Sequence, residues 1–135
     1  MRSDVVVPAW LVPIAADSVV QGILGIAPEF NMAGDRDHKI PSLEYTLVSP
    51  AVLFQEVYWR TLIQLDMWTY DLAELFSLEK ALVRLLHFDT PVTIGSIPMW
   101  SEMQPGGAAL AGAADGVFGR SIDFHITYLR DKWTP

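Results

Sequence analysis

The chain contains no cysteine. That excludes a disulfide framework and any thiolate metal site, and it fits a cytosolic folding compartment. Positive charge is also scarce: 9 Lys and Arg stand against 16 Asp and Glu, for a net charge of −7. Gripping nucleic acid needs a cationic face, so the balance argues against that class, though not against a wall that DNA slides past without sticking. No apolar run reaches the ~18 residues of a membrane span. Residues 5–16 are apolar, but Asp4 offsets Arg2, and Pro8 and Pro13 interrupt the run, so a secretory signal is not expected. A secreted domain would need these residues to be missing from the mature chain.

What is present is apolar. The 135 residues suit one domain with a sizeable core, read as 1–135 with an N-terminal arm at 1–12. Hydrophobic residues make up 51% and mean hydropathy is +0.27, high for a soluble monomer of this size. Part of the apolar surface is therefore expected to be covered by other subunits.

The chain is organised around residues 58–86. The first part, from Tyr58 to Trp68, is rich in aromatic and β-branched residues and lacks Gly and Pro, so it reads as a strand. Trp59, Thr61, Ile63, Leu65 and Met67 share the more apolar side, which is expected to be buried. Tyr58, Arg60, Leu62, Gln64, Asp66 and Trp68 share the other, which suits an edge, a groove or a subunit contact. Asp71 precedes Leu72 as an N-cap. Leu75, Leu78, Leu82, Leu85 and Leu86 then form a helical stripe, with Glu74, Glu79, Lys80 and Arg84 outside. A strand feeding such a helix must fold it back onto its own sheet.

Residues 5–7 read as a short strand or a docking arm stopped by Pro8. Pro13 suits the first turn of a helix running to Leu24, with Gly25 as C-cap and Gly22 marking close packing. Residues 29–39 form a polar connector. Residues 40–48 read as a strand with Leu43, Tyr45 and Leu47 on one face and Ser42, Glu44 and Thr46 on the other. Pro41 favours an edge or a strand start. Ser49-Pro50 breaks the strand, and residues 51–57 lead into an antiparallel pairing with the central strand. Asp89-Thr90-Pro91 is a second break. Residues 92–103 are a third strand, with a bulge at Gly95 and an edge position implied by Pro98. Residues 104–116 are Gly/Ala-rich and expected to be mobile. Residues 117–130 alternate: Phe118, Ile122, Phe124, Ile126 and Tyr128 inward, Ser121, Asp123, His125 and Thr127 outward.

Chemistry is thin. His38, His87 and His125 have no metal-ligand spacing, and His87 fits a helix C-terminal cap. Asp66, Asp123 and Glu44 fall on three strands and could share a divalent cation; the plainer reading is solvated or salt-bridged carboxylates, paired to Arg60 or Arg120. No Lys completes a nuclease-like set. Gly106, Gly107, Gly112 and Gly116 do not match a phosphate-binding pattern, and Ser121 is not in a nucleophile elbow.

Four segments in order resemble one family: Ala16–Gly25 (ADSVVQGILG) its opening helix, Ile40–Tyr45 (IPSLEY) its first strand, Leu62–Trp68 (LIQLDMW) its strand before a helix, and Asp115–Tyr128 its closing strand. Together they are similar to the small tail terminator, or tail completion, proteins of long-tailed bacteriophages and related prophage or gene-transfer elements. The Pro-rich start and the Gly/Ala loop depart from that pattern and leave the tail type open. The resemblance implies a hexameric ring on the head-proximal end of the tail tube. There it would stop tube polymerisation and join the tail to the head connector, in the virion neck, after assembly in host cytoplasm. Its partners would be its own copies, the tail tube protein and the connector or stopper protein, with no membrane and no cofactor. Six copies at −7 would give a ring of about −42, which repels passing DNA.

The expected architecture is α+β: a mostly antiparallel sheet of about four strands with helices packed on one face. The expected role is structural, without catalysis. Interface candidates are Trp10, Trp59, Arg60, Trp68, Trp100, Leu110 and Trp133. Two alternatives stay open: another neck or head-completion subunit, and a small metal-dependent enzyme built on Asp66, Asp123 and Glu44.

Overall fold

The computed structural model describes residues 3–25, 30–32, 40–54, 58–94, 97–105, 107–110 and 116–129. In chain order these form α1 (Ser3–Ala16), α2 (Ser18–Leu24), β1 (Phe30–Met32), β2 (Ser42–Phe54), β3 (Tyr58–Thr69), α3 (Leu72–Leu86), β4 (Phe88–Ile94), β5 (Ile97–Met103), β6 (Ala108–Leu110) and β7 (Phe118–Leu129). Strand order is β1-β2-β3-β7-β5-β4, with β6 paired to β7 beyond the end of β5. The β1–β2 pair is parallel and every other pair is antiparallel. The fold is therefore α+β with a mostly antiparallel sheet.

That sheet has more strands than the about four read from the sequence. Residues 92–103 are not one strand: Ile94 pairs with Ile97, so the chain reverses between them. Gly95, expected as a bulge, lies outside the described residues. Asp89-Thr90-Pro91 does not break the chain; a register shift between Phe88 and Val92 takes up the segment inside β4. Pro98 does not put β5 at an edge, since β5 lies between β7 and β4, but pairing with β7 starts only at Met99. Ser49-Pro50 is likewise absorbed: β2 continues to Phe54 through irregularities after Leu47 and Ser49.

The central unit follows its sequence signals. β3 alternates buried and half-buried residues, with Ile63, Leu65 and Met67 fully buried. Asp71 caps α3, its carboxylate accepting from Ala73 N at 2.7 Å and Glu74 N at 3.4 Å. Leu75, Leu78, Ala81, Leu82 and Leu86 are buried, and Leu85 packs at the margin of the core. Each fully buried leucine contributes on the order of 1.5–3 kcal/mol of transfer free energy. Ile122, Phe124, Ile126 and Tyr128 of β7 complete the same layer, but Phe118, expected inward, is 40% exposed.

The N-terminal reading needs correction. Residues 5–7 are neither strand nor arm, because α1 runs through both prolines. Val7, Trp10, Leu11 and Ile14 recur at helical spacing and are buried with Val6. Burial of that stripe outweighs the two backbone hydrogen bonds that Pro8 and Pro13 cannot make. Pro13 does not open the second helix. Asp17 does, as an N-cap accepting from Val19 N and Val20 N, and α2 leaves α1 at 86°. Gly25 ends α2 at φ 109°, a positive value that glycine tolerates for want of a Cβ, and its N–H donates to Gln21 O. Gly22 is not a close-packing position: a Cβ there would meet nothing within 4 Å. Among the described residues no single helix is long and apolar enough to cross a membrane. The bent α1–α2 pair matches in length and composition, yet α1 places its apolar residues in the domain core.

Candidate interaction surfaces

All three described helices lie on one face of the sheet. Trp10 of α1 packs edge-on against Phe124 of β7, with ring centroids 5.5 Å apart. Its indole N–H donates to Ser101 Oγ of β5 at 2.9 Å. Trp10 is therefore a core residue with no exposed surface, which removes it from the interface candidates. The opposite face carries the even-numbered residues of β3 and the odd-numbered residues of β7, as the alternation predicts.

That outer face gathers the carboxylates weighed from the sequence. Glu44 stands directly across from Asp66, Asp66 across from Ser121, and Gln64 across from Asp123. Gln64 Nε2 donates to Asp66 Oδ1 at 2.9 Å. Desolvation raises the Asp66 pKa above the usual carboxylate range; the Gln64 hydrogen bond opposes this and the neighbouring Asp123 charge adds to it. Asp123 Oδ1 is sealed from solvent without a hydrogen-bond partner. Glu44, read as outward and solvated, is only 6% exposed. Beside them, His125 is pushed below its ordinary pKa by desolvation and by Arg60, against the pull of Glu102 and Asp123. Among the described residues, no group of three His, Cys, Asp or Glu side chains is placed to hold a metal ion.

At the other end of this face lie two of the interface candidates, Trp100 and Arg60. Trp100 meets Tyr58 edge-to-face, with centroids 5.2 Å apart at 89°. Arg60 Nε donates to Thr127 Oγ1 at 3.3 Å. Trp59 points the other way and packs half-buried against the core. Trp68 and Leu110 form a second contact: both crowd Gly119, where a Cβ would overlap the Trp68 ring and fall 2.9 Å from Leu110 Cβ. The expected mobile loop is thus laid along β7 in part. Gln104 N donates to Asp123 O at 2.8 Å, and Ala108–Leu110 pair with Ser121, Arg120 and Gly119. Trp133 and His38 lie outside the described residues. His87 closes α3, and its Nδ1 accepts from Met103 N at 3.0 Å, tying the helix end to β5.

A surface that the sequence reading missed lies on the helix side. Phe76, Glu79, Lys80, Val83 and Arg84 of α3, with Arg120 of β7, line an open groove of about 560 Å³. Arg120 faces α3 and forms a contact ion pair with Glu79, its N–H not aligned for a hydrogen bond, so it does not serve Asp66 or Asp123 as expected. Arg84 Nη2 donates to Asp17 Oδ1 at 2.9 Å. Desolvation would raise the Asp17 pKa, but the Arg84 hydrogen bond and charge and the Val19 and Val20 amides together lower it. Leu72, Phe76 and Phe118 stand 44%, 56% and 40% exposed around this end. The signal was present in the sequence: Leu72, Phe76 and Val83 form a second helical row beside the leucine stripe.

No protein-family model matches this chain, and no curated protein does either.

Proposed function

We propose that this chain is a structural subunit of a phage-type tail neck. It assembles as a ring, a hexamer in the resembled family, on the head-proximal end of a tail tube, stops its growth and presents a surface to the head connector. The observation that carries this reading is the two-sidedness of the uncovered surface. Leu72, Phe76 and Phe118 stand out on the helix side, while the opposite sheet face has no described helix over it. A ring subunit needs unlike contacts on two sides, because a head-to-tail interface joins two different patches. The net charge of −7 supports the same reading, since an anionic ring passes DNA without holding it. Among the described residues, Glu44, Asp66 and Asp123 are not placed to hold a metal ion together, so they lend the enzyme alternative no support of that kind.

The test is imaging of finished particles together with a copy-number measurement. The expected result is a ring of this chain between tube and connector, with a copy number equal to the tail symmetry. A single copy, or absence of the chain from particles, defeats the proposal.

A further inference from the structure

We propose that His87 is a pH-operated latch on the end of β5. Neutral, it ties that end to α3; protonated, it lets go and caps its own helix instead. The inference goes beyond the ring reading and stands whether or not the chain forms a ring. It starts from a gap in the sheet. β4 begins at Phe88, opposite Ser101, so the ladder between β4 and β5 stops short of Met103. On its other side β5 bonds β7, where Gln104 N donates to Asp123 O. Strand alternation therefore turns the Met103 N–H away from β7, toward the side that β4 does not reach. His87 fills that position: its Nδ1 accepts from Met103 N at 3.0 Å.

An imidazole accepts at Nδ1 only while that nitrogen is bare and the ring proton sits on Nε2. The residue is exposed, so solvent protons reach it, and histidine changes charge between roughly pH 5 and 8. Once protonated, Nδ1–H faces Met103 N–H, donor against donor, and the bond is lost. The cation then has a second use. The His87 amide takes Val83 O, and the carbonyls of the last turn beyond it have no intrahelical donor. An imidazolium there is a favourable charge at the negative end of α3. Of the charged residues around it, Arg84 is one turn back on α3 and bonded to Asp17 of α2. Glu102 of β5 stands across from His125 on the outer face, and Asp89 follows along β4. Met103 leads through Gln104 toward β6, whose Leu110 lies with Trp68 against Gly119. Release at Met103 thus loosens the root of the segment that runs along β7.

Amide exchange tests this, read at each pH as protection relative to an unstructured chain at the same pH. Between about pH 7.5 and about pH 5 the Met103 amide should lose protection roughly two- to tenfold, the effect of one hydrogen bond, while the β3–β7 ladder keeps its own. His87→Asn offers an acceptor oxygen near the place of Nδ1 but does not titrate, so its Met103 protection should not depend on pH. His87→Ala should be poorly protected there at both pH values. His125→Gln, the control for the other described histidine, should keep the parent's drop. Nitrogen-15 NMR at about pH 7.5 should find the ring proton of His87 on Nε2. Four results overturn the latch: a Met103 amide unchanged across this range, a proton on Nδ1 at the higher pH, an equal drop in His87→Asn, or a drop that His125→Gln abolishes. Equal loss across the β3–β7 ladder also overturns it, since that is unfolding of the whole domain.

Discussion

The indole N–H of Trp10 donates to Ser101 Oγ at 2.9 Å, across 91 positions of the chain. Both residues are fully buried, so this bond fastens α1 to the middle of the sheet. Trp10→Phe keeps most of the packing against Phe124 but leaves the Ser101 hydroxyl without its donor. We expect a loss of about 1–3 kcal/mol in urea unfolding. Trp10→Phe combined with Ser101→Ala should recover part of that loss, because both polar groups then leave the core. A double variant no more stable than Trp10→Phe alone would show that the bond carries no such weight.

Two glycine substitutions should move stability in opposite directions. Gly22→Ala on α2 meets open space and replaces a poor helix former, for a gain of about 0.5–1 kcal/mol. Gly119→Ala drives a methyl into Trp68 and Leu110 and should cost about 1–3 kcal/mol. Differential scanning calorimetry of the pair reads both signs, and a destabilised Gly22→Ala would contradict the open surroundings of that position.

Asp66 sets one pH dependence. Its pKa is raised in the folded state above the usual 3.8, so between 3.8 and the folded value the native protein binds more protons at this site than the unfolded chain does. The stabilisation linked to that proton is complete below 3.8 and is lost as pH rises through the folded value. Asp66→Asn keeps an acceptor for Gln64 and removes the charge beside Glu44 and Asp123. It should raise the melting temperature at pH 7 and flatten this part of the pH profile. An unchanged profile would show that Asp66 is not the group responsible.

Asp17 works with the reverse sign. Its folded pKa is lowered, so its stabilisation is present above 3.8 and is lost as pH falls through the folded value. Asp17→Asn retains the N-cap but loses the ion pair with Arg84, whose side chain is 55% exposed, so the effect should stay below ~1 kcal/mol. Asp17→Ala also removes the cap and should cost about 0.5–2 kcal/mol. Melts of the two variants at pH 3 and pH 7 separate cap from charge: the Asn–parent difference should shrink at the lower pH.

β6 makes the last prediction. Ala109 pairs with Arg120 along β7 in a segment whose composition reads as mobile. Backbone amides there should exchange with deuterium more slowly than those of a solvated loop, because they belong to a sheet ladder. Ala109→Pro should raise exchange across Ala108–Leu110 while leaving the β3–β7 ladder protected.

The sequence by itself determined the elements whose information is local. Alternation in β3 and β7, the leucine stripe of α3, and the caps Asp71 and Gly25 each depend on residues within a few positions of one another, and each was legible. Only the tertiary structure decided that residues 3–16 are helical despite two prolines, since burial of Trp10 against Phe124 and Ser101 supplies the compensation from the far end of the chain. It also decided that Ala108–Leu110 form a strand, because such short, small residues gain order only from the β7 edge beside them. The same holds for the two faces. Register alone brings Glu44, Asp66 and Asp123 together, and helix placement alone brings Arg120 to Glu79 and Arg84 to Asp17. Pairing between distant segments is a long-range packing outcome, and local periodicity carries no record of it.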